Sequence, residues 1–138
     1  MSEVKLSGGC ACGAVRYECD AEPVMVAHCH CRDCQRSSGA PMATIFAVPK
    51  AAFHKLQGET RTYQVAGDSG QPVVRQFCPT CGSPLFSNAA VVPDLQFVRA
   101  ASLDNPAAVT PGMHIYCDSA QPWALPDDGL PRFGKLPG

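Results

Sequence analysis

Three cysteines fall within six residues in Cys29-His30-Cys31-Arg32-Asp33-Cys34, and no other stretch constrains the chain as tightly. Cys29 and Cys31 are two apart, so on extended backbone their side chains point to one face. Cys34 returns after a C-x-x-C turn, a spacing common in zinc chelation. Three thiols are one short of the four ligands zinc takes. A closed structural site has its fourth ligand in place, whereas a catalytic site keeps that position for substrate. The stretch reads as an open zinc site, and the rest of the chain as the frame that holds it.

The chain has nine cysteines, an odd number for a disulfide framework. The N-terminus, Met1-Ser2-Glu3-Val4-Lys5-Leu6, lacks the apolar core of a signal peptide. No apolar run approaches the ~20 residues that span a bilayer. The expectation is a cytoplasmic protein, and grouped thiols in a reducing compartment point to metal or redox chemistry rather than crosslinks.

Four further cysteines form two pairs, Cys10-Ala11-Cys12-Gly13 and Cys78-Pro79-Thr80-Cys81-Gly82. In the second, proline fixes one backbone angle and the closing glycine permits a positive φ, which makes a tight knuckle. Together the pairs supply Cys₄, a closed tetrahedral site that would staple the N-terminal hairpin to the central sheet. Buried free thiols do not explain two separate turns that each carry a pair. Four thiolates would also suit iron, but one knuckle is C-x-C rather than C-x-x-C, which ranks zinc first.

Thirteen prolines and twelve glycines leave few windows for a long helix. Short strands are expected instead. Val4 to Leu6 leads in, and Val15, Tyr17 and Cys19 alternate with Arg16 and Glu18 as a half-buried strand. Further strands are expected at 24–27, 42–48, 73–77, 85–87, 95–101 and 114–117, with a strand pair at 53–56 and 60–65. Ser37 to Pro41 reads as a loop and 49–52 as one helical turn. The tail from Gln121 to Gly138 reads as a loop wrapping the surface, with Trp123 pinning it to the core. The fold class is therefore all-β, one zinc-stapled domain of short antiparallel strands over residues 1–138. A net charge of -1, scattered Lys and Arg, and a single Trp argue against a nucleic-acid or membrane partner.

His28 and His30 should point away from the thiols and serve packing or support rather than ligation. His114 is expected to be an ordinary hydrogen-bonded histidine, though its strand could approach the open site. His54 reads as surface, and Cys19 and Cys117 as core. Arg32 and Arg36 flank the open site and read equally as partners for substrate carboxylates and as solvated arginines. A metal-free Cys–His nucleophile is disfavoured by three clustered thiols. Dithiol redox between Cys31 and Cys34 lacks a thioredoxin-type βαβ context.

Three blocks resemble the glutathione-dependent formaldehyde-activating enzyme family, which includes centromere protein V. They are Gly8 to Tyr17, Cys29 to Cys34 with Ser38-Gly39-Ala40-Pro41, and Phe77 to Phe86. Ser102 to Pro106, His114 to Ser119, Pro122-Trp123 and Asp128 to Phe133 are similar to its C-terminal signatures. The resemblance implies an all-β fold of the β-tent type. It implies two zinc ions, a structural one on Cys10, Cys12, Cys78 and Cys81 and a catalytic one on Cys29, Cys31 and Cys34. It also implies carbon–sulfur lyase chemistry, in which glutathione and formaldehyde give S-(hydroxymethyl)glutathione. The proton donor could be His30, His114 or water. A non-catalytic zinc-stabilised binding module and a thiol redox or metal-buffer protein are the alternatives.

Overall fold

A computed structural model describes residues 5–137. The lead-in expected at Val4 and the last residue of the tail, Gly138, lie outside the described residues. Among the described residues ten strands form two sheets. In the smaller sheet β1 (Leu6–Gly9) pairs with β2 (Arg16–Cys19), and β2 pairs with β5 (Phe53–Gln57), all antiparallel. The larger sheet contains β3 (Met25–Cys29), β4 (Ala43–Pro49), β6 (Arg61–Ala66), β7 (Pro72–Phe77), β8 (Pro84–Ala89), β9 (Leu95–Arg99) and β10 (Met113–Ile115). Its order is β10-β3-β4-β9-β8-β7-β6. Every pairing in it is antiparallel except β10 with β3, which is parallel. The all-β expectation holds, with a mixed larger sheet rather than a purely antiparallel one.

The alternation in β2 does what its sequence predicts. Val15, Tyr17 and Cys19 are fully buried while Arg16 and Glu18 are only half-buried. They meet Phe46, Val48, Leu85, Phe86 and Val98 from the larger sheet in the main core. The Phe86 ring stands edge-on to Tyr17 at 5.2 Å and to Phe53 at 4.9 Å, a geometry that adds to the burial of each ring. Burying a side chain such as Phe46 is worth about 1.5–3 kcal/mol. The opposite face of the larger sheet carries a second apolar cluster, with Ala27, Cys29, Ala43, Ile45 and Ile115 beneath Cys34.

Three expectations need correction. The stretch read as a turn and loop contains a helix, α1 (Arg32–Ser38). It starts because the Cys31 Sγ accepts the Cys34 N–H, which caps an otherwise orphan donor. It stops at Gly39, whose φ of 65° belongs to the left-handed region that favours glycine. Next, the segments at 53–57 and 61–66 do not pair with each other; β5 joins the smaller sheet and β6 edges the larger one. Between them Gly58, at φ 85°, passes so close over Ala14 that a Cβ there would meet its carbonyl oxygen. Lastly, Trp123 is 74% exposed and does not pin the tail. The tail is fastened elsewhere, by Phe133 N–H to His114 O at 2.9 Å and His114 N–H to Pro131 O at 2.8 Å.

Candidate metal centres

The four outer cysteines converge. Cys10 and Cys12 lie in the β1–β2 turn, and Cys78 and Cys81 follow β7, so each pair hangs from a different sheet. The four sulfurs all lie within 4.8 Å of one another. Cys10 Sγ stands 3.6 Å from Cys12 Sγ, which is 3.8 Å from Cys78 Sγ. Thiolates at about 2.3 Å from one tetrahedral zinc stand about 3.8 Å apart, so the donor set fits that ion. The turns prepare the sulfurs. Val15 N–H donates to Cys10 Sγ at 3.3 Å, and Ser83 Oγ lies 3.2 Å from Cys81 Sγ. The Ser83 hydroxyl first, and backbone N–H groups after it, hold the Cys81 thiol down to about 5.

Cys29, Cys31 and Cys34 form a second group, again within 4.8 Å. Cys29 ends β3, Cys31 caps α1, and Cys34 comes back from its first turn, so the C-x-x-C spacing lies on a helix start. Cys29 and Cys31 sulfurs are 3.5 Å apart, and Cys34 N–H donates to Cys31 Sγ at 3.2 Å. Among the described residues no fourth Cys, His, Asp or Glu joins this trio. The donor set fits three corners of a zinc tetrahedron.

The trio does not titrate as three independent thiols. Hydrogen bonds from Cys29 and then Cys31 hold Cys34 down to about 3, with the positive charges of Arg99 and Arg75 adding to the effect. Its neighbours compensate: hydrogen bonding to Cys31 and Cys34, with burial, pushes Cys29 up. Arg75 Nη2 donates to Cys34 Sγ at 3.7 Å.

The register explains why Arg75 and Arg99 face the trio. Tyr63, Arg75, Ser87 and Phe97 are cross-strand partners in one row of the larger sheet. Arg99 is two residues beyond Phe97, hence on the same face. Sequence reasoning missed both arginines. Its signal was Arg99 sharing a strand face with Leu95 and Phe97, a charge where an apolar residue belongs. Arg32 and Arg36, which flank the trio in sequence, are instead exposed and line a separate cavity with Trp123.

The histidines fall where alternation puts them, away from the sulfurs. His30 Nε2 lies 2.9 Å from His114 Nδ1, and His114 Nε2 lies 2.9 Å from the Asp128 carboxylate. The His28 ring stacks on His114 at 4.8 Å, and its Nδ1 meets Thr44 Oγ1 at 2.8 Å. His28, His114 and Asp128 also group within 4.8 Å, a cluster the sequence did not signal because Asp128 arrives from the tail. His54 pairs with Asp20 on the surface. Cys19 is buried in the core, whereas Cys117 is only half-buried and begins a 3-10 turn rather than ending a strand. Gln35 was also missed. Its amide donates to His30 O at 2.6 Å and to Ser119 O at 3.0 Å, binding α1 to the end of the trio's strand and to the 3-10 turn that Cys117 begins. Tyr116 packs against the trio's cluster with a φ of 57°, a conformation costly for a residue with a Cβ.

All nine cysteines are free. Among the described residues no helix is long and apolar enough to cross a membrane. A family model described as glutathione-dependent formaldehyde-activating enzyme matches residues 5–119. A Halomonas elongata protein named "Putative glutathione-dependent formaldehyde-activating enzyme" is 28% identical over 123 residues, which span 86% of this chain and 78% of that one. A crystal structure of a Rhodobacter sphaeroides protein has the same fold, with a TM-score of 0.60 at 21% identity, covering 92% of this chain and 98% of the other.

Proposed function

The chain belongs to the glutathione-dependent formaldehyde-activating enzyme family, and from that membership we propose that it is a zinc-dependent carbon–sulfur lyase. In the synthetic direction it would join a small-molecule thiol, glutathione first among candidates, to formaldehyde, giving S-(hydroxymethyl)glutathione. One contrast carries the reading: four convergent sulfurs in one cluster against three in the other, with no fourth donor among the described residues. Cys10, Cys12, Cys78 and Cys81 would hold a structural zinc, and Cys29, Cys31 and Cys34 the catalytic one. A zinc ion on the trio would supply a fourth position for a substrate thiol and favour its thiolate form at neutral pH.

The chain's own residues prepare that position. The Cys34 N–H holds the Cys31 sulfur, and the Arg75 guanidinium offsets the negative charge at Cys34. Gln35 fixes α1 against the strand that carries Cys29. In the reaction the thiol gives up its proton and its sulfur bonds to the aldehyde carbon. The carbonyl π pair moves to oxygen, which takes up a proton, so nothing is oxidised or reduced. His114 meets His30 through one ring nitrogen and Asp128 through the other, and both rings point away from the sulfurs, which favours water as the proton source. Nine free thiols suit a reducing compartment, and the reading places the protein in the cytoplasm, residues 1–138 acting as one unit.

The test is formaldehyde consumption by zinc-loaded protein with glutathione. Acceleration over spontaneous adduct formation is expected. No acceleration at full zinc occupancy would remove the assignment and favour a non-catalytic zinc-stabilised module.

A further inference from the structure

We propose that Arg75 and Arg99 form a carboxylate-binding subsite beside the three-thiol cluster, so that the thiol substrate is one that carries a carboxylate. The inference rests on the reading above for the thiol and adds the chemical class of the rest of the molecule.

Arg75 is only 9% exposed and stands within the sheet. Its Nη2 reaches Cys34, but its Nε and Nη1 are buried with no hydrogen-bond partner among the described residues. Buried polar groups in native proteins are nearly always satisfied, and a charged donor is the costliest to strand. Arg99 donates through Nη2 to Ser37 Oγ at 2.6 Å. Among the described residues neither guanidinium is ion-paired to a carboxylate. Both side chains line one cavity, and the charge of Cys34 reaches each of them.

The space fits part of a ligand. Arg75 and Arg99 line a cavity of about 170 Å³ with Ser37, Tyr63, Phe77 and Phe86. Whole small-molecule sites run to roughly 300–1,000 Å³, so this cavity takes an arm of a molecule rather than all of it. Arg99 also lines a larger groove of about 600 Å³ next to the Cys10 turn. A carboxylate seated on the two arginines would leave the remaining bulk to extend into that groove. Guanidinium is the side chain best suited to grip a planar carboxylate.

The experiment is calorimetric binding of 3-mercaptopropionate and of its neutral isostere 3-mercaptopropionamide to zinc-loaded protein without aldehyde. The carboxylate is expected to bind tighter by about tenfold or more. Arg99 is only half-buried, so Arg99→Gln is the variant chosen to stay folded, with zinc content checked. It should shrink the preference to about twofold, while Arg99→Lys, which keeps the charge, should retain most of it. Equal affinities in the unaltered protein, or an undiminished preference in Arg99→Gln, overturns the subsite. Turnover is scored separately. A carboxylate preference without turnover of any thiol upholds the subsite and overturns the reaction. Turnover of glutathione with equal binding of both probes does the reverse.

Discussion

Cys12 and Cys78 are 66 positions apart in the chain, and their sulfurs stand 3.8 Å apart. Each belongs to a turn from a different sheet, so an ion shared between them closes a long loop, and its binding energy appears as folding energy. Cys81 is the best probe of that energy because it is exposed and its sulfur supports no packing. Cys81→Ser is therefore expected to destabilise only through the metal. A loss of about 3 kcal/mol or more, roughly 10 °C in melting temperature, is expected by thermal denaturation. An unchanged melting temperature would show that the quartet holds nothing.

The trio should behave differently. Cys34 lies on the buried face of α1, but serine matches it closely in volume, and the helix is capped by Cys31 rather than by Cys34. Cys34→Ser is expected to stay folded, within about 1.5 kcal/mol of the parent. Bound zinc should fall from about two ions per chain to about one, and turnover by at least about a hundredfold. Elemental analysis and melting curves on the same sample separate the two effects. Equal thermal damage from Cys34→Ser and Cys81→Ser would contradict the division into structural and functional sites.

These seven sulfurs were legible because each pair or trio is written within a few residues, where local turns dictate direction. The same is true of Val15, Tyr17 and Cys19, whose period of two needs no partner to be read. Contacts set by distant pairing were not legible. Segment 53–57 has a hairpin-like neighbour at 61–66, yet it pairs with β2, because the chain at Gly58 passes over the β1–β2 turn. Helix α1 is only seven residues long and ends in Ser37-Ser38, which are poor helix formers; a sulfur cap and a left-handed glycine define it. Arg75 shares a strand face with Val73 and Phe77, but a single strand does not say what that face meets. Only the register that aligns it with Tyr63 and Ser87 turns it toward the trio.

Gly8 offers a stability test independent of metal. A Cβ there would lie 2.4 Å from the Ser102 carbonyl oxygen and 2.5 Å from the Tyr17 hydroxyl. The tyrosine is itself fixed by a 2.5 Å hydrogen bond to Ser102 Oγ, and the carbonyl is backbone, so neither can give way cheaply. Gly8→Ala is expected to cost about 1–3 kcal/mol in denaturant unfolding, with zinc content unchanged. A variant as stable as the parent would show that β1 does not pack this closely.

The tail's attachment should depend on pH through Asp128. The His114 N–H first, and the Leu130 backbone N–H after it, hold the Asp128 carboxyl below the usual carboxylate range. A carboxylate depressed in the fold stabilises the folded state fully above its unfolded value, near about 3.9. That contribution is lost as pH falls through the still lower folded value. No change is expected between pH 7 and about pH 5, and loosening of the tail only below about pH 4. Hydrogen-exchange protection of the His114 and Phe133 amides reports it directly, since both bond across the tail. Asp128→Asn removes the ionisable partner, so at pH 6 it should be less protected than the parent. The gap between the two proteins should begin to close only below about pH 4 and vanish once the pH is under the depressed folded value, where the parent carboxyl is neutral too. This comparison also separates the tail from acid loss of zinc, which affects both proteins alike. A constant gap across the whole range would mean that Asp128 holds the tail without its charge.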